Sequence, residues 1–123
     1  RKKQMLEDKV IADRSEQYFR EFLTNNNKFK QLAFFRRTPG GALMMFKIMH
    51  CYFLNKDLHV EELVEQIPTA IVSRPSVFSY IDSAVEYGIL VKSEGKDDKR
   101  TKTIKPSDSM IKEYKQWISE LDN

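Results

Sequence analysis

The chain has 123 residues, of which 41% are hydrophobic and 32% charged, with a formal net charge of +3. That balance suits one compact domain and excludes a disordered or fibrous chain. A chain of this size buries enough surface to fold without disulfides or a structural metal. No apolar run approaches the ~20 residues of a membrane-spanning helix. Arg1–Met5 lead into acidic Glu7 and Asp8 rather than an apolar stretch, so no secretory signal is expected. The chain does not begin with Met, which allows for a missing N-terminal piece. Cys51, the single cysteine, cannot form an internal disulfide, which fits a reducing, cytoplasmic setting.

Residues 3–23 read as a long helix, with Leu6, Val10, Ile11, Tyr18, Phe19, Phe22 and Leu23 near helical spacing. Asn25-Asn26-Asn27 breaks it, and a short helix over 28–36 comes next, carrying Phe29, Leu32, Ala33 and Phe35. Thr38-Pro39-Gly40-Gly41 is the strongest punctuation in the chain and is expected to separate an N-terminal arm from the rest. Residues 42–54 are apolar almost all round, the mark of a core helix. Leu58-His59-Val60 fits a very short strand. The next helix spans 61–67, with Glu61 and Glu62 at its positive end, and Pro68 stops it.

Pro75 suits the first position of a further helix, which should push Arg74 out of the helical region. Val77, Phe78, Ile81, Ala84 and Val85 mark its inward face, and Gly88 its C-terminal stop. Residues 89–94 and 100–105 read as the strands of a hairpin around the polar turn 95–99. Ser107 is a good N-cap for a last helix, whose stripe is Met110, Ile111, Tyr114, Trp117, Ile118 and Leu121. The fold class expected is mainly α with a small β-hairpin wing (α+β), a winged helix-turn-helix flanked by N- and C-terminal dimerisation helices. The expected division is an arm over 1–41, the winged helix-turn-helix over 42–107 and a C-terminal helix over 108–123.

A helix followed by a long hairpin can enter a major groove and the adjacent minor groove together. Basic residues gather toward that end of the chain: Lys92, Lys96, Lys99, Arg100, Lys102, Lys105, Lys112 and Lys115. A solvated surface is the bland reading of such a run, and it is the preceding helices that turn it toward nucleic acid.

Residues 58–110 resemble the DNA-binding half of the MarR family of bacterial transcription regulators. The runs Ser73-Arg74-Pro75-Ser76-Val77, Tyr80-Ile81-Asp82 and Gly88-Ile89-Leu90 are similar to the family's recognition helix and its exit into the wing. The run Asp98-Lys99-Arg100, then Lys102, Ile104 and Ser107-Asp108, resembles its wing and the next helix cap. The resemblance implies that Asp98 braces Arg100, which enters the minor groove; a carboxylate fixes a guanidinium's direction in this way. Two departures stand out. The turn Pro68–Val72 is longer than the roughly 3–4 residues usual between such helices. The exposed recognition face carries Ser76, Ser79 and Ser83 with Tyr80 beside them, where the family often has basic residues.

The resemblance implies double-stranded DNA binding by a homodimer that regulates transcription at the nucleoid, with a small-molecule effector as a further partner. The DNA-contacting residues expected are Arg74, Ser76, Ser79, Tyr80, Ser83, Lys99, Arg100 and Lys102, with Asp98 as wing support. The alternative is a protein–protein interaction module on the same scaffold without DNA binding; a DNA-binding subunit of a replication or phage system is a third reading. No P-loop, dinucleotide fingerprint, nucleophile elbow or zinc-protease motif is present, so neither catalysis nor a cofactor is expected. His50, Cys51 and His59 match no metal-ligand spacing. Met44, Met45 and Met49 read as core filling that could also line a ligand pocket.

Overall fold

The computed structural model describes residues 4–24, 28–95 and 100–121. The elements in chain order are α1 (Asp8–Thr24), α2 (Lys30–Arg36), α3 (Pro39–Phe53), β1 (Leu58–His59), α4 (Val60–Gln66), α5 (Arg74–Glu86), β2 (Leu90–Glu94), β3 (Lys102–Pro106) and α6 (Asp108–Leu121). The strands form one antiparallel sheet in the order β1-β3-β2. Its register places Leu58 opposite Ile104 and Leu90 opposite Pro106. This is the winged helix-turn-helix expected from the sequence: α4 and α5 make the helical pair and β2–β3 the wing.

The Thr38-Pro39 step lies between α2 and α3 and is itself a helix start. Thr38 is extended, its hydroxyl accepts a hydrogen bond from the Gly41 amide at 3.0 Å, and α3 begins at Pro39. A threonine cap satisfies one of the helix's orphan amides, and proline at the first turn loses nothing by lacking one. The next two residues must be small. A Cβ on Gly41 would fall far inside van der Waals contact of the Phe35 carbonyl oxygen and collide with the Tyr80 hydroxyl; one on Gly40 would strike the Val72 side chain. The glycines therefore let the start of α3 touch both the α4–α5 connection and α5 itself. The long Pro68–Val72 segment is closed by Ile71 and Val72 amides donating to the Pro68 carbonyl at 2.9 and 3.1 Å.

Several local signals operate as read from the sequence. Gly88, at φ +77°, ends α5, and the Ile89 amide reaches back to the Ala84 carbonyl at 2.9 Å; an L side chain is strained in that backbone region. The Ser107 hydroxyl accepts from the Met110 amide at 3.2 Å and starts α6. Glu62 Oε1 accepts from the His59 amide at 3.2 Å at the start of α4. Arg74 departs from expectation. It lies inside α5, one residue before Pro75, because Ser73 takes the cap position and accepts from the Ser76 amide.

The core joins Phe29, Leu32 and Phe35 of the arm to Met44, Met45, Ile48 and Met49 of α3, Leu63 and Val64 of α4, Val77 and Ile81 of α5, Ile104 of the wing and Met110 of α6. The methionines fill it, as expected. Glu113 of α6 accepts from the Gln31 amide at 3.1 Å, satisfying an orphan donor of α2. Contrary to the all-round pattern of its sequence, α3 is not covered on every side: Leu43, Phe46 and Phe53 remain more than two-fifths exposed. Phe46 stacks on Trp117 and Phe53 on Tyr114 of α6, each pair with centroids 6.4 Å apart. On α1, Tyr18, Phe19, Phe22 and Leu23 are also exposed. One apolar side of the molecule thus lacks a cover within a single chain.

Replacing Gly41 by Ala should lower unfolding free energy by about 1–3 kcal/mol, the usual cost of forcing a methyl into filled space. Gly40→Ala should cost less, since its obstacle is a side chain rather than a carbonyl of the backbone. Chemical denaturation of both variants tests the ranking, and a neutral Gly41→Ala would contradict the packing described.

Candidate nucleic-acid interface

Ser73, Arg74 and Ser76 open α5 on an exposed surface. The Ser73 hydroxyl donates to Ser76 Oγ at 2.8 Å while accepting from the Ser76 amide at 3.3 Å. Ser76 Oγ is thus held by the cap. Ser79 is exposed and Ser83 half-buried, one and two turns further along the same side. Arg74 extends toward α4, where Nη2 lies 3.6 Å from Glu61 Oε2; both side chains are at least half exposed.

The wing packs beside α5. A cleft of about 400 Å³ is lined by Phe78 of α5, Val60 and Glu61 of α4, His59 of β1, and Lys92, Arg100, Thr101 and Lys102 of the hairpin. Lys92, Arg100 and Lys102 bring cations to it, against the carboxylate of Glu61. Lys92 Nζ meets Asp82 of α5 at 3.1 Å, tying wing to helix. Lys102 Nζ meets Glu94 across the hairpin at 3.6 Å. These pairs are exposed, so each contributes at most about 1 kcal/mol and its cation can exchange partners. Asp98 and Lys99 lie outside the described residues.

Tyr80 does not share this surface. Its hydroxyl donates to the Phe34 carbonyl, and its ring stacks on Phe35 at 5.9 Å and meets Phe34 edge-on at 4.8 Å. Its place on α5 explains this: Val77, Tyr80 and Ala84 are three and four residues apart, and both neighbours are fully buried. Tyr80 is a packing residue that fixes α5 against α2. Desolvation raises its phenol above the ordinary value of 10, while the charge of Arg37 and a hydrogen bond with Thr38 act the other way.

A second cleft, of about 630 Å³, lies on the other side of β1. Ile48 and Cys51 of α3, His59, Ser93 and Glu94 of β2, and Thr103, Ile104 and Lys105 of β3 are among the residues lining it. Cys51 is buried and forms no disulfide. His59 lines both clefts.

A helix and a hairpin presenting one face, built on α4–α5 and capped by flanking helices, define a MarR-like winged helix. No family model and no curated protein sequence matches the chain. Solved structures do. The chain is similar to the heme-free crystal structure of PefR, with a TM-score of 0.53 and 14% identity over 93% of this chain and 91% of that one. It is similar to the heme sensor PefR from Streptococcus agalactiae in complex with heme, with a TM-score of 0.53 and 16% identity over 92% and 71%. The MarR protein from Peptoclostridium difficile aligns over 99% of this chain and 76% of its own, with a TM-score of 0.54 and 20% identity. The shared feature at these identities is the fold.

Removing the Tyr80 hydroxyl should cost about 1–3 kcal/mol, because the Phe34 carbonyl loses its donor. The raised phenol also sets a direction with pH. Below pH 10 the group is neutral in both folded and unfolded chains; above it the unfolded chain ionises first. Stability should therefore fall as pH rises beyond about 10, and Tyr80→Phe should flatten that fall. Thermal unfolding at graded alkaline pH reads both effects.

Proposed function

We propose that this protein binds double-stranded DNA as a homodimer and regulates transcription. The observation that carries the reading is that the hairpin cations Lys92, Arg100 and Lys102 share a cleft with Phe78 of α5 and with Glu61, the ion-pair partner of Arg74. Arg74, Ser76, Ser79 and Ser83 supply the helix contacts in this proposal, and Lys99, Arg100 and Lys102 the wing contacts, with Asp98 bracing Arg100. Tyr80 is left out because its hydroxyl is committed to Phe34. Serines bond phosphates and base edges with little selectivity. Much of the discrimination is therefore assigned to groove shape and to Arg74 and Arg100.

Two considerations support a dimer. The exposed apolar residues of α1 and α3 form a surface larger than scattered single residues would make. Two recognition helices about 34–36 Å apart would enter successive major-groove turns. A small effector is part of the proposal as well. One structural neighbour, PefR, is a heme sensor. In this chain the cleft behind the wing, about 630 Å³ in volume, falls in the usual size range of ligand sites.

Duplex binding followed by fluorescence anisotropy at several salt concentrations tests the function. Wild type should show log K falling with log salt at a slope near −0.9 per phosphate neutralised. Arg74→Ala and Arg100→Ala together should weaken binding by roughly tenfold or more and flatten the slope by about two. Weak, flat binding identical in both proteins would favour the protein-interaction reading, which the uncharged serine face supports.

Glu61 competes with phosphate for Arg74. Glu61→Gln should therefore tighten duplex binding a few-fold at low ionic strength, roughly the value of one exposed ion pair, and the gain should fade as salt rises. The same anisotropy titration measures it.

A further inference from the structure

Two buried hydrogen-bond donors sit together without an acceptor where α1, α2 and α6 meet. They are Arg36 Nη1 and Trp117 Nε1, and neither finds a partner among the described residues. The Arg36 guanidinium lies 4.9 Å from the centre of the Phe22 ring and 5.1 Å from that of Trp117. Phe22 meets Trp117 edge-on at 6.4 Å, and Phe46 stacks on the indole's ring. Guanidinium remains charged in proteins, and a buried charge is normally paired. Burial here works against the charged form, and the field of Glu21 works for it. Beside the Glu21 charge, the two N–H groups still lack a hydrogen-bond acceptor, preferably an anion, among the described residues.

The helix beside this pair, α1, keeps Phe19, Phe22 and Leu23 exposed. α1 joins the body through Gln17, whose amide donates to the Glu120 carbonyl at 3.3 Å, and through Phe22. Its mid-helix charges are engaged with each other, Lys9 with Asp13 and Arg20 with Glu16. Glu7 and Asp8, at its start, are exposed and have no partner among the described residues. Its last turn carries no basic residue of its own; Arg36 of α2 supplies the cation there instead.

We propose that the Arg36–Trp117 donor pair is a socket completed across a dimer seam by Asp8, in the first turn of α1, and Glu7 just before it, of a second copy. Two copies of α1 packed antiparallel about a two-fold axis place the start of one helix beside the end of the other. A two-fold interface repeats each contact, so the chain would hold two such sockets per dimer. The apolar residues around the socket, Phe19, Phe22, Phe46 and Ile118, are exposed in the single chain and would exclude water from the pair. This assignment rests on the homodimer reading above and adds the residues that set its register.

Trp117 is the only tryptophan in the chain, so its emission reports the socket directly. Sedimentation equilibrium and tryptophan fluorescence are measured across the same dilution series. The expected result is that mass doubling and the change in Trp117 emission share one midpoint. Arg36→Gln and the surface variant Glu7→Gln/Asp8→Asn should each raise the dimer dissociation constant by roughly tenfold or more. Arg36→Glu should weaken it further, and adding Asp8→Arg to that variant should recover part of the loss. The surface variant touches no core residue, so a folding defect does not obscure it. Mass doubling with unchanged emission and unchanged constants in both neutral variants would overturn the socket while leaving the dimer standing. A wild-type chain that stays monomeric at about 100 µM, in the upper range of weak association, would contradict the dimer and the socket together. Emission that responds to added sodium benzoate in the dimer, and not in Arg36→Gln, would give the socket to a small anion and overturn the proposal.

Discussion

The close approach of α3 to α5 governs the rest of the structure. Gly40 and Gly41 leave no side chain at the start of α3, so Val72 and the Tyr80 hydroxyl can reach it. Tyr80 then bonds the Phe34 carbonyl. One small contact region thus ties the arm, the core helix α3 and α5. The angle at which α5 presents Arg74 and its serines depends on that junction, because core packing transmits displacement rather than absorbing it. The wing is set separately, by pairing with β1 and by the Lys92–Asp82 bridge.

The other governing feature is the surface the chain leaves uncovered. α1 is amphipathic, yet its apolar residues find little to cover them within the chain. The aromatic ladder of Phe46, Trp117, Tyr114 and Phe53 runs along α3 and α6 beside it. Surface of this kind is costly in water. In the proposed dimer a second copy would remove it from solvent, and the same act would set the spacing of the two α5–wing faces. On that proposal the oligomeric state and the function have a common physical origin.

Much of this architecture is legible in the residues. Hydrophobic period, Pro75, Gly88 and Ser107 mark α5, its stop, the wing and α6, because helix caps and left-handed stops are local chemistry. The errors are non-local. Thr38-Pro39 has the features of a break and of a cap alike, and the apolar run from Leu43 onward decides for the cap. The two glycines make sense only once Val72 and Tyr80 are brought against them from more than thirty residues away. The three- and four-residue spacing of Tyr80 to Val77 and Ala84 is the signal of its packing against α2. Arg36 carries no sequence signal, being a lone cation at the end of a short helix. Its meaning comes from the rings of Phe22 and Trp117.

The most direct test of the central claim is a hydroxyl-radical footprint on a duplex selected from a random pool by the full chain. A two-fold dimer reading DNA through α5 and the wing predicts two symmetric protected patches, their centres about 10 base pairs apart. The minor groove flanking each patch should be protected by the wing. A single unsymmetric patch, or no protection on any duplex retained at low salt, would contradict it.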